Sequence, residues 1–197
     1  MDKTLQRSKK VFPITLNLLA QTLIVAGILM VSLSILLALS RINPRRLNFY
    51  RIPQTLNNET VVTADSHLSR PKYITIAGTS ISLPIIPSTI EDQTWETTEE
   101  GVSYLTMSPV PGEKGNSILY GHNWTDLLGP LTEVKPGQTI RIRYEDDSQK
   151  TFMVEHTATV SPNDTSILMA SAEPMMTIYT CTGLFDSKRF VVTARPI

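Results

Sequence analysis

The chain has 197 residues, 41% of them hydrophobic, and its 18 Lys and Arg balance 18 Asp and Glu. That length suits one domain plus extras, and a single cysteine excludes an internal disulfide framework. The zero net charge hides a split: residues 1–70 carry 9 basic and 3 acidic residues (+6), residues 71–197 carry 9 and 15 (−6), so the larger part lacks the basic balance of a nucleic-acid binder.

In chain order, residues 1–10 contain Lys3, Arg7, Lys9 and Lys10, and from Val11 to Ser40 no residue is charged. As a helix rising about 1.5 Å per residue, residues 11–40 would reach roughly 45 Å, more than the ~30 Å hydrocarbon core of a bilayer. The segment therefore reads as a transmembrane signal anchor. A cleaved signal peptide is the rival, with Ala38-Leu39-Ser40 as a loose cleavage site, but signal h-regions run to only about 7–15 residues. Four basic residues precede the span and Arg41, Arg45, Arg46 and Arg51 follow it, so the positive-inside rule ties. A short cytoplasmic N-terminus with the C-terminal domain outside is the expected arrangement, and the basic flanks suit anionic membrane lipid. Residues 41–70 are polar, hold two prolines and lack periodicity, which predicts a juxtamembrane linker. His67 lies in it and reads as a solvated residue.

From Pro71 the pattern changes to short β-type runs separated by Gly, Pro, Asn and Asp. "YITIA" (73–77) and "ISLPII" (81–86) flank Gly78-Thr79-Ser80 as a hairpin. "TIEDQTWETTEE" (89–100) is the place for a short helix or loop excursion. "NSILYGH" (116–122) reads as a strand ending at glycine and histidine. "QTIRIRY" (138–144) alternates apolar and basic residues, the mark of a strand with one buried face. "TFMVEHTATV" (151–160) alternates too, placing Phe152, Val154, His156, Ala158 and Val160 on one face and making His156 a packed core histidine. "MTIYTC" (176–181) and "RFVVTA" (189–194) complete seven or eight strands. Many short strands and few helices over residues 71–197 predict a mainly β domain, a closed β-barrel, with a sandwich as second choice.

Three residues in the domain invite chemistry. A cysteine nucleophile needs a partner that favours thiolate, donors for an oxyanion, and access to substrate. Cys181 stands at a strand end, yet a lone cysteine also serves as a small buried hydrophobe. His122 sits at a strand-to-loop junction, where side chains project into clefts. Arg189 opens the strand after the Cys181 loop and carries a permanently charged fork of donors; taken alone, it reads equally as a solvated strand-start residue.

Together "GEKGNSILYGHN" (112–123), "TIYTC" (177–181) and Arg189, eight positions past the cysteine, resemble the sortases, cysteine transpeptidases of bacterial cell surfaces. The resemblance runs from about Tyr73 to Ala194, and an N-terminal signal anchor is usual in that family. Ile178 stands where Leu is usual and Gly183 where many members have Pro. The chain has no long insertion to act as an active-site lid, which makes it nearer to a housekeeping, class D or class E member. The resemblance implies a sortase-type barrel in which Cys181 attacks a Leu-Pro-x-Thr-Gly-like sorting signal and forms a thioacyl enzyme. An amine of a cell-wall precursor or a pilin then resolves it. It implies His122 as general acid and base, Arg189 as oxyanion donor, and Thr180, Asn123 and the loop residues Ile167, Leu168 and Met169 as substrate-binding. Glu96, Glu99, Glu100 and Glu173 match no calcium-loop template, so no cofactor or obligatory metal is expected. Two alternatives remain: a membrane-tethered β-barrel binding module with a structural cysteine, and an L,D-transpeptidase-like fold, whose motif spacing has no match here.

Overall fold

The computed structural model describes residues 11–41, 47–49, 68–92 and 94–197, with side chains omitted for 11–16, 40 and 41. Residues 1–10, His67 and most of the expected linker lie outside the described residues. The chain divides into two compact units, Met1–Asn43 and Pro44–Ile197.

The first unit contains a single helix, α1, Val11–Arg41. Within it Asn17–Leu39 is long and apolar enough to cross a membrane, and every side chain of that stretch is exposed. A helix that is apolar all round is suited to lipid.

Among the described residues the second unit has ten strands: β1 Pro71–Ile76, β2 Ser82–Ser88, β3 Ile90–Glu91, β4 Thr94–Trp95, β5 Val102–Leu105, β6 Asn116–Gly121, β7 Thr139–Tyr144, β8 Gln149–Val160, β9 Met175–Thr182 and β10 Lys188–Pro196. Eight of them close a barrel in the order β1-β2-β5-β6-β9-β10-β8-β7, as the run of short alternating segments predicts. β2–β5 and β6–β9 pair in parallel and the other neighbours antiparallel. The β1–β2 turn passes through Gly78 at φ +77, where a Cβ would meet Gln138 Nε2 at 2.6 Å. In the 89–100 excursion, β3 and β4 form a two-stranded hairpin rather than a helix. β5, four residues all buried, carries no alternation to announce it, because a strand covered on both faces loses the period of two.

Inside the barrel, Ile74, Ile140, Ile142, Phe152, Ile178 and Val192 belong to the main core. A second cluster joins outward-facing residues of β5, β6, β9 and β10 to Leu168, Trp95 and two residues from far upstream, Leu47 and Phe49. β9 is therefore buried on both sides, Met176 and Ile178 inward, Tyr179 and Cys181 outward.

One expectation is corrected. His156 is exposed rather than packed. The β8–β10 register slips between Thr193↔His156 and Ala194↔Val154, so Glu155 is an extra residue, and a bulge of one residue moves every later side chain to the other face. Within the expected linker 41–70, Leu47, Asn48 and Phe49 are at most 8% exposed. Alternation and composition read only local pattern, and three residues buried by a distant strand leave none.

Candidate active site

β6, β9 and β10 run side by side, and their registers bring the three candidate residues together. Cys181 pairs directly with Arg189. Tyr120 pairs with Tyr179, and Gly121 with Thr180; one step further, at the strand end, His122 follows in line with Cys181. Tyr120 and Tyr179 face outward and stack, ring centroids 5.5 Å apart. By the alternation of strands the next pair on that face is His122 and Cys181.

Each of the three is held differently. Cys181 is 2% exposed. The half-buried His122 imidazole stacks on Trp124 at 4.5 Å, nearly parallel, and its carbonyl accepts from Leu128 N–H, which fastens the loop behind it. Arg189 is buried, and its guanidinium donates to backbone oxygens from three residues: Nη1 to Asp186 at 3.0 Å and Lys188 at 3.0 Å, Nη2 to Asn48 at 2.8 Å. Its Nε has no hydrogen-bond partner among the described residues. A buried donor left open costs about 1–3 kcal/mol.

The β9–β10 turn is strained. Phe185 and Asp186 lie at φ +53 and +57, a region that bulky side chains seldom occupy, and Arg189 takes the Asp186 carbonyl that this turn presents. Leu184 and Phe185 stand out in solvent at its tip.

The cover over this face is the upstream strap 47–49. Tyr179 donates to Leu47 O at 3.2 Å, Trp95 N–H to Asn48 Oδ1 at 3.1 Å, and Arg189 to Asn48 O. The Phe49 ring meets Tyr179 edge-on at 5.0 Å and lies 5.8 Å from the Arg189 guanidinium. Burying a Leu or Phe contributes about 1.5–3 kcal/mol, while ordering each residue costs about 1–2 kcal/mol in backbone entropy alone. The strap is thus held by a modest margin. It packs on Tyr179 and Arg189, the neighbours of Cys181 on this face.

The remaining residues picked from the sequence divide. Thr180 is fully enclosed, and its hydroxyl donates to Gly121 O at 2.8 Å, tying β9 to the strand end before His122. Leu168 is packed in the outer cluster, Ile167 lies against it, and Met169 is 57% exposed. Asn123 is exposed. Sequence reasoning missed the clasp that sets the 161–174 loop: Asn116 Nδ2 donates to Ile167 O and Met169 O, and Thr177 donates to Asn116 Oδ1. The asparagine inside "GNSILYGH" was its only signal. Missed too were Trp95 and Asn48, which hold the strap. Burial, then the charge of Tyr120, pushes the Tyr179 phenol well above its ordinary range; Arg189 pulls the other way, and Cys181 adds a smaller push up. Among the described residues no group of His, Cys, Asp and Glu is placed to hold a metal ion.

Residues 74–197 match the family model of the Sortase domain. No protein of curated function matches the chain. Among solved structures, a lid mutant of sortase A from Corynebacterium diphtheriae is 27% identical at a TM-score of 0.57, covering 66% of this chain and 73% of that one. Sortase C-1 from Actinomyces oris is 25% identical at 0.56, over 64% and 72%. Sortase A from Listeria monocytogenes, 22% identical at 0.52 over 64% and 86%, shares the fold. With the family matched over most of its length and the same barrel in its structural relatives, this chain belongs to the sortase family.

Proposed function

We propose that the chain is a membrane-anchored transpeptidase that cuts a Leu-Pro-x-Thr-Gly-like sorting signal and transfers the new carboxyl end to an amine. The carrying observation is the direct pairing of Cys181 with Arg189, with His122 in line on the adjacent strand. Cys181 Sγ attacks the carbonyl carbon between the fourth and fifth signal residues. The developing oxyanion takes hydrogen bonds from the Arg189 guanidinium, a fixed charge whose Nη2 already holds a peptide carbonyl, that of Asn48. As the C–N bond breaks, the proton from the thiol passes by way of His122 to the leaving nitrogen, and a thioester remains. An incoming amine gives its proton to His122 and attacks the thioester; the thiolate leaves and the new amide is formed. The donors are surface proteins with a C-terminal sorting signal, the acceptor an amine of a cell-wall precursor or pilin. In this reading the signal is gripped by Ile167 and Met169, on the loop that Leu168 anchors in the outer cluster, and by Asn123. The helix α1 holds the enzyme in the cell membrane with its N-terminus inside and the barrel outside.

Incubating the full-length chain with a library of Leu-Pro-x-Thr-Gly-like peptides, with and without an amine, tests this. An acyl-enzyme mass on Cys181, absent in Cys181→Ala and discharged by the amine, is expected; failure of every peptide to acylate overturns the substrate assignment. A second reading, a binding module with a structural cysteine, draws on the 2% exposure of Cys181. It predicts a thiol that stays inert to alkylation in the presence of any acylating peptide.

A further inference from the structure

On the far side of the barrel from Cys181, β1 and β7 present a basic hollow that the transfer chemistry does not use. In the barrel order β1 is the fourth strand from β9 in either direction. A cavity of about 250 Å³ there is lined by Tyr73, Thr75, Arg141, Arg143 and Gln149. The register explains the set: Tyr73 pairs with Arg143 and Thr75 with Arg141 across β1–β7, and Arg143 pairs with Gln149 across β7–β8. Arg141 and Arg143 both point out because Ile140, Ile142 and Tyr144 point in, which sets the guanidinium-bearing residues about 7 Å apart along the strand.

No carboxylate lines this hollow, and among the described residues neither arginine has an ion pair, whereas Arg195 on β10 is paired with Glu155 at 2.9 Å. Two like charges on one face repel, and here they stand on a domain whose residues 71–197 carry 9 basic and 15 acidic groups. The hollow is also organised. The Arg143 guanidinium lies over the Tyr73 ring, 5.3 Å from its centroid, and the Tyr73 hydroxyl is tied to Ser82 O at 2.9 Å. A stacked guanidinium keeps its edge donors free, and a planar fork matches the oxygens of a phosphate better than an ammonium does. The cavity is too small for a large ligand and ample for one phosphate group.

We propose that this hollow is an anion site for a phosphate group, with Arg141 and Arg143 as its two arms. Where α1 holds the chain in a bilayer, headgroup phosphates are the abundant source; a soluble phosphate shares the chemistry. Only the choice of source rests on the reading of α1 as an anchor.

The test is an arginine footprint of the full-length chain with phenylglyoxal, read by mass spectrometry in nanodiscs with and without phosphatidylglycerol, and in lipid-free micelles with and without inorganic phosphate. One arginine near an anionic surface is worth about a fivefold change in affinity, so modification of Arg141 and Arg143 should slow by roughly fivefold while Arg195 is unchanged. Slowing with phosphatidylglycerol alone supports the site and names the headgroup; slowing with inorganic phosphate supports it and names a soluble ligand. In calorimetry, R141Q/R143Q should lose whatever phosphate binding the parent chain shows. Unprotected arginines under all conditions, or protection of Arg195 to the same degree, overturns the proposal.

Discussion

At Arg189 one side chain is asked to do two things: tie the strained β9–β10 turn through Asp186 O and Lys188 O, and hold a carbonyl on its other nitrogen. A lysine keeps the charge and loses the fork. Arg189→Lys should therefore lower the acylation rate by about 100- to 1,000-fold, the range for losing an oxyanion donor, as read by single-turnover mass spectrometry on a folded variant; a loss below tenfold removes Arg189 from the chemistry. His122→Gln keeps a polar group against Trp124 but cannot shuttle the proton. It should lower transfer by about 100- to 10,000-fold, measured as the rate of peptide release. The sequence pointed to these residues only jointly, through their resemblance to the sortase pattern; taken alone, Arg189 reads equally as a solvated strand-start residue. The sequence could not announce Asn48, a plain polar residue whose role comes from an arginine 141 positions away.

Among the elements, the strap 47–49 and the 161–174 loop border the same cluster and are held by different means. Phe49→Ala removes the ring that meets Tyr179 and Arg189. If the strap loses as little as about 1.4 kcal/mol of its hold, its open fraction rises tenfold. Alkylation of Cys181 in the full-length variant should speed up by about tenfold or more, and an unchanged rate means the thiol is covered by something else. Asn116→Ala takes two hydrogen bonds from the loop and one from Thr177. Faster hydrogen exchange across 166–170, with the barrel strands unaltered, is the expected result. Strands with one solvated face were legible: β7 shows its alternation from Thr139 to Tyr144. β5 and the outer half of β8 were not, the first because both faces are covered, the second because one extra residue at Glu155 reverses the facing without changing the sequence pattern.

Over the whole molecule, four buried tyrosines knit the inner and outer clusters, and burial raises the phenols of Tyr104, Tyr120, Tyr144 and Tyr179. Between the unfolded value of about 10 and the higher folded values, the folded state binds more protons than the unfolded, so stability falls as pH rises. Their contribution is complete below about pH 10 and is lost progressively above it. Denaturant midpoints should drop from there upward, with phenolate absorbance appearing together with unfolding; early titration of all six tyrosines in a still-folded chain would contradict this. The closed barrel was legible from many short strands, and the helix α1 from uncharged length, since both follow from local chemistry. The seat of the strap was not, and its position has a further consequence for synthesis. Leu47 and Asn48 leave the ribosome early, but their partners Tyr179 and Arg189 lie 132 and 141 residues later, on β9 and β10. The strap gains these partners only once both strands have been made, so a quiet Cys181 reports that the chain from residue 47 to β10 has folded.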